Sequence, residues 1–180
     1  MKKYLLVITF VAGFYVSGFA QTHTKFSVGI DGGVPVGEAS NAYNAVIGGS
    51  VKLEAPIATN TAFTISAGYS AFLGKSIYMT VGDEAFFYTP LSYTAIPVKA
   101  GLKYSFTKSF YAEAQLGAAI GLKKDSKIGF AYSPGVGYDF GGVDVGLRYE
   151  GWAYKAQNVY GVAATESTAS QIAARIGFRF

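Results

Sequence analysis

The chain has 180 residues, no cysteine and one histidine, and its 15 basic and 11 acidic side chains give a formal charge of +4. Those counts exclude a disulfide scaffold, a lipoprotein anchor and a metal site built from cysteine or several histidines, and the basic excess is too small for a nucleic-acid surface. Hydrophobic residues make up 51% and aromatic ones 16%, with 23 glycines, yet after the first turns of sequence no apolar run reaches the roughly 20 residues of a spanning helix.

The N-terminus reads as an export signal. Lys2 and Lys3 form a short basic region, residues 4–16 (YLLVITFVAGFYV) an apolar one, and Gly18, Phe19 and Ala20 put small residues at the two positions a signal peptidase reads. Cleavage before Gln21 is expected, so that residues 1–20 are a removed signal peptide and 21–180 one barrel domain. The apolar run is too short for a membrane anchor, and no basic stop-transfer cluster follows it.

From residue 24 onward, apolar and polar residues alternate with a period of two. In 24–34, Phe26, Val28 and Ile30 oppose Lys25, Ser27 and Asp31; in 47–55, Ile47, Val51 and Leu53 oppose Ser50, Lys52 and Glu54. Residues 62–72 and 96–106 follow, the second setting Val98, Leu102, Tyr104 and Phe106 against Lys99, Lys103 and Ser105. Residues 110–122 keep Glu113 and Gln115 on the polar side, 129–140 keep Ser133 and Asp139, and 143–154 keep Asp144, Arg148 and Glu150. The last segment, 169–180, opposes Ile172, Ala174, Ile176, Phe178 and Phe180 to Gln171, Arg175 and Arg179. Eight strands are predicted, joined alternately by tight turns and by longer segments at 35–45, 73–95, 123–128 and 155–170. That alternation describes an antiparallel up-and-down meander with two unlike ends, an all-β, eight-stranded barrel.

Every charge within the strands falls on the polar parity: Lys25, Asp31, Lys52, Glu54, Lys99, Lys103, Glu113, Asp139, Asp144, Arg148, Glu150, Arg175 and Arg179. Alternation alone fits a soluble lipocalin-like barrel equally well, with charges outside. Two further features favour charges inside, and with them a transmembrane barrel. Glycines crowd the charged faces, which suits a packed lumen, and Phe26, Phe63, Phe106, Phe110, Phe140 and Phe180 all fall at the short-turn end on the apolar parity, the place of an aromatic girdle. An eight-stranded lumen holds only side chains, so so many charges inside it are predicted to interleave as an ion-paired plug.

The signal, the eight amphipathic strands, 96–106 (IPVKAGLKYSF) as a fourth strand and the terminal ARIGFRF together resemble the small outer membrane protein β-barrel domain family, the porin-like relatives of OmpX and the OmpA membrane domain. The resemblance implies a Gram-negative outer-membrane location among membrane lipid and lipopolysaccharide. It also implies delivery by periplasmic chaperones and the barrel-assembly machinery, with Ile172, Ile176, Phe178 and Phe180 as the assembly signal.

No catalytic constellation is found. The one histidine, His23, lies just after the expected cleavage site, too far from the strands to serve as the base of a hydrolytic triad. Gly68 and Gly74 are spaced one residue too far apart for a phosphate loop. No enzyme, cofactor or metal is expected. The remaining candidate contact surface is 74–95, in which alternation on both sides of VGDEA suggests a protruding hairpin with Asp83 and Glu84 at its tip and Tyr78, Phe86, Phe87 and Tyr88 along its strands. Stapling of the hairpin by these aromatics is the plainer account of them. The function read from the sequence is a structural or adhesive outer-membrane barrel whose surface loops are free to meet a partner. A small passive pore and a soluble ligand-binding barrel stay open as alternatives.

Overall fold

A computed structural model describes residues 24–81, 84–88, 92–123, 126, 128–154 and 167–180. The expected signal peptide and His23 lie outside the described residues. The described residues form ten strands: β1 (Lys25–Val36), β2 (Tyr43–Ala58), β3 (Thr61–Gly74), β4 (Ile77–Val81), β5 (Glu84–Tyr88), β6 (Tyr93–Ser105), β7 (Phe110–Gly121), β8 (Ile128–Asp139), β9 (Val143–Tyr154) and β10 (Ser167–Arg179). A single-turn helix, α1 (Ala39–Ala42), joins β1 to β2.

Eight of these strands close into an antiparallel barrel in the order β1-β10-β9-β8-β7-β6-β3-β2, and β4 and β5 form a separate two-stranded ribbon. The barrel is therefore the up-and-down meander the alternation predicts, with the ribbon inserted into the connection between its third and fourth strands. The seam is sealed where the chain ends meet: the Phe180 N–H donates to the Phe26 carbonyl at 2.8 Å. No sheet edge of the barrel is left unpaired, which is what a bilayer requires of strands that cross it.

The short-turn end is built from local chemistry. In the β6–β7 turn the Thr107 hydroxyl accepts from the Phe110 N–H at 2.9 Å, and in the β8–β9 turn the Asp139 carboxylate accepts from the Gly141 N–H at 2.8 Å. Gly141 has φ +90°, which a side chain would strain.

The parity of the faces separates a membrane barrel from a soluble one. Ile30, Leu102, Leu116, Leu147, Ile176 and their neighbours point outward and are exposed, whereas Lys52, Glu54, Lys99, Lys103, Asp144, Glu150 and Arg175 are buried inside. A band of bare aliphatic side chains around a charged interior is unstable in water and stable in hydrocarbon. The soluble lipocalin-like alternative is thereby overturned.

Candidate functional site

The lumen has two tiers. In the tier toward the short turns, six cations and six anions interlock. Lys52 Nζ lies 3.0 Å from Glu54, 3.2 Å from Glu113 and 3.5 Å from Asp144. Lys103 reaches Glu54 at 3.1 Å and Asp144 at 3.6 Å. Arg175 meets Asp144 at 3.5 Å, and Arg179 meets Asp144 at 3.5 Å, Glu54 at 3.9 Å and Asp139 more closely still. Asp144, 1% exposed, is thus the hub that four cations share. A second cluster joins Lys99 to Glu150 at 2.9 Å and Arg148 to both Glu150 and Asp31 at 2.9 Å.

Neutral side chains complete this tier. Gln115 donates to Thr64 at 3.1 Å and to Glu113 at 3.0 Å, and accepts from Ser66 at 3.1 Å. The ring of Tyr111 lies under the Lys103 ammonium, 3.8 Å from the centroid, a cation–π contact inside the network. Small inner residues make this packing possible: a Cβ on Gly137 would overlap the Tyr111 ring, and one on Gly29 would come within 2.8 Å of the Arg175 guanidinium. What remains empty between these groups is a cavity of about 50 Å³, room for a few waters.

Of the predicted lumen charges, Lys25 departs from the plug. Its parity is inward, but it sits at the first position of β1, is exposed at the short-turn mouth, and shows no ion pair among the described residues.

The second tier, toward the long loops, is apolar. Phe72 and Trp152 are fully buried and meet edge-to-face at 5.2 Å, packed with Val46, Ala95, Ala119, Ala131 and Ala39 of α1. Tyr43, Tyr93 and Tyr154 stand above them. The tiers are tied together where the Trp152 indole N–H donates to Glu150 at 3.0 Å. A period-two reading hides this tier because it sorts residues into apolar and polar faces. Phe72, Trp152 and Tyr154 lie on the parity of Ser66 and Glu150, and that signal, an aromatic on the charged face, is legible on inspection. Tyr43 is not. A β-bulge between Tyr43 and Ala45 shifts the register so that Tyr43 pairs with Gly74 while Ala45 pairs with Leu73, and this turns Tyr43 inward.

On the outer face, Phe26, Phe106, Phe110, Phe140 and Phe180 are exposed at the short-turn end and Phe63 is partly so. Phe106 stacks on Phe110 at 5.7 Å, and Tyr104 and Tyr138 join the ring through Phe106 and Phe140. Ile172, Ile176 and Phe178 form one exposed outer row of β10, which Phe180 continues just past the strand's end. In the ribbon, Tyr78 pairs with Phe87, Ile77 with Tyr88, and Glu84 closes the ladder opposite Val81, while Asp83 lies outside the described residues.

Comparison with known proteins agrees with this geometry. A family model described as the OprF membrane domain matches residues 90–144, which is β6 through β8 and the start of β9. No curated protein sequence matches the chain. Among solved structures, Ail of Yersinia pestis in a phospholipid bilayer nanodisc is 16% identical with a TM-score of 0.53, over 89% of this chain and 100% of that one. Ail in complex with the heparin analogue sucrose octasulfate gives 15% and 0.55, over 88% and 100%. A de novo designed transmembrane β-barrel gives 10% and 0.53, over 89% and 98%. At such identities the likeness is one of fold, and a designed barrel matching as well as a natural one shows that pattern and closure carry it. Charges inside, an aromatic-bordered apolar belt outside and this strand order make the chain a small outer-membrane β-barrel of the eight-stranded up-and-down class.

Proposed function

We propose that the protein is a closed scaffold, exported by its N-terminal signal, that spans the outer membrane and holds its long loops at the cell surface in a structural or adhesive role. One observation carries the reading: the lumen is filled along its length, by ion pairs in one tier and by aromatic packing in the other. Such a barrel anchors; it does not conduct. The adhesive part of the reading draws on the fold shared with Ail, the attachment invasion locus protein, and on the ribbon β4–β5, whose residues Tyr78, Phe86, Phe87 and Tyr88 are the proposed contacts. In this reading Phe26, Phe63, Phe106, Phe110, Phe140 and Phe180 sit at the lipid headgroups, lipopolysaccharide packs against the aliphatic belt, and the outer row of β10 guides the barrel-assembly machinery.

The test is conductance of the purified protein in planar bilayers, alongside electrophoresis of boiled and unheated samples. A heat-dependent mobility shift with no steady conductance is expected. Stable, large single-channel steps from a folded sample would replace this reading with the passive-pore one.

A further inference from the structure

At the long-loop mouth the aromatic tier ends in an open cup of about 460 Å³, lined by Glu38, Ala39, Ala42, Tyr43, Tyr93, Tyr154, Thr168 and Ala169. That volume is in the range of small-ligand sites, and a mostly apolar wall with a few polar tips is their usual lining. The three tyrosines come from three strands. The Tyr93 and Tyr154 rings stand at 88° to one another with centroids 6.3 Å apart, and their hydroxyls are hydrogen-bonded at 2.8 Å. Tyr43 completes the group from β2, held edge-on against Phe72 at 5.5 Å.

Two further observations give this cup a chemistry. Tyr43 faces it only because of the β-bulge at the start of β2, a device that recurs at barrel rims and beside functional sites because it re-aims one side chain. The charge of the lining is also one-signed among the described residues: Glu38 is the one ionised residue there, and the buried lysines and arginines lie in the other tier, paired with carboxylates. Aromatic rings carry negative electrostatic potential on their faces, so a wall of three tyrosines beside one carboxylate disfavours an anion and favours a cation too bulky and too weakly hydrated to prefer water.

We propose that this cup binds an organic ammonium group, a trimethylammonium head such as that of choline, on the faces of Tyr43, Tyr93 and Tyr154 with Glu38 as counter-charge. The chain's single tryptophan reports on the site from behind its lining: Trp152 is fully buried, its ring 6.3 Å from that of Tyr93. The whole barrel, folded in a polyoxyethylene detergent free of choline headgroups, is titrated with choline while Trp152 emission is followed. Parallel titrations use 3,3-dimethylbutanol, the uncharged isostere of choline, and glucose.

A saturable emission change is expected with choline and not with the isostere. Glu38→Gln should weaken choline binding about 5- to 10-fold, and Tyr43→Leu, which keeps apolar volume but removes the ring, about 10-fold or more. Glu38 is exposed, so its variant tests the charge without disturbing the core, and unheated electrophoresis verifies that each variant is folded. Equal responses to choline and its isostere would reduce the cup to a plain apolar pocket and overturn the proposal. So would a response to glucose but not to choline, which would make it a saccharide site, or no response to any of the three.

Discussion

Asp144 is the residue on which the plug depends most. Its carboxylate is 1% exposed and stands 3.5 Å from Lys52, 3.6 Å from Lys103, 3.5 Å from Arg175 and 3.5 Å from Arg179. Asp144→Asn keeps the shape and removes the charge, so four buried cations that shared one anion are left with fewer. Lys52 retains Glu54 and Glu113, Lys103 retains Glu54, and Arg179 retains Asp139 and Glu54, but among the described residues Arg175 keeps only hydroxyl partners, Ser27 and Ser50. Removing one partner of a buried pair costs about 3–5 kcal/mol, because the surviving charge stays desolvated. Glu113→Gln is the internal comparison, since among the described residues the one cation Glu113 pairs with is Lys52, which keeps two other carboxylates; a loss of about 1 kcal/mol is expected there. Urea unfolding in lipid vesicles, read by Trp152 emission and by the heat-dependent mobility shift, measures both. A loss below 1 kcal/mol at Asp144, or a larger loss at Glu113 than at Asp144, would refute the picture of a shared hub.

Leu116→Arg and Leu147→Arg, in the middle of the aliphatic belt, should each cost about 2–4 kcal/mol on insertion, whereas Phe140→Arg at the short-turn rim should cost about 0–1 kcal/mol; equal tolerance, scored by folded yield in vesicles, would place the membrane elsewhere. Gly137→Ala drives a methyl group into the Tyr111 ring and should lower stability by about 1–3 kcal/mol in the same unfolding assay. Deleting Phe180 removes both the terminal aromatic and the 2.8 Å bond to Phe26 that seals the seam. Lower outer-membrane yield in cells with unchanged refolding in detergent would mark an assembly signal, whereas an equal loss in both would mean that Phe180 acts only through barrel closure.

The eight strands were legible because a membrane barrel imposes one rule on every spanning residue: alternate ones face hydrocarbon. Leu102, Leu116 and Leu147 obey it without exception, and tight turns at SFTKSF and DFGGVD mark where the chain reverses. Strand ends were less legible. β2 begins at Tyr43 rather than near Ile47 and β6 at Tyr93 rather than near Ile96, because pairing continues past the hydrocarbon, where alternation is no longer enforced. Ion-pair partners were not legible at all. Lys52 meets Glu54 on its own strand and also Glu113 and Asp144 on strands across the lumen, a distance set by barrel radius and side-chain reach. Gln115 shows the same limit. On pattern alone it is a tolerant inward position for an added arginine, but it is 6% exposed and bonded to Thr64, Ser66 and Glu113, so an arginine there would overfill the plug.

The division of the lumen into two tiers has a physical reason that bears on conduction. In the charged tier, Lys52, Lys99, Lys103, Arg148, Arg175 and Arg179 balance Asp31, Glu54, Glu113, Asp139, Asp144 and Glu150, so the tier is neutral as a whole. A neutral, internally paired network offers a passing ion no net attraction, and an ion entering it must break pairs that are already desolvated. The aromatic tier opposes entry differently: Phe72 and Trp152 present no groups to replace an ion's hydration shell. Opening either tier alone therefore leaves the other closed. Weakening the ionic tier by Asp144→Asn should lower stability and still give no steady conductance. Current should appear only when Trp152→Ala or Phe72→Ala is added, and single-channel currents from Asp144→Asn alone would show that the aromatic tier does not seal.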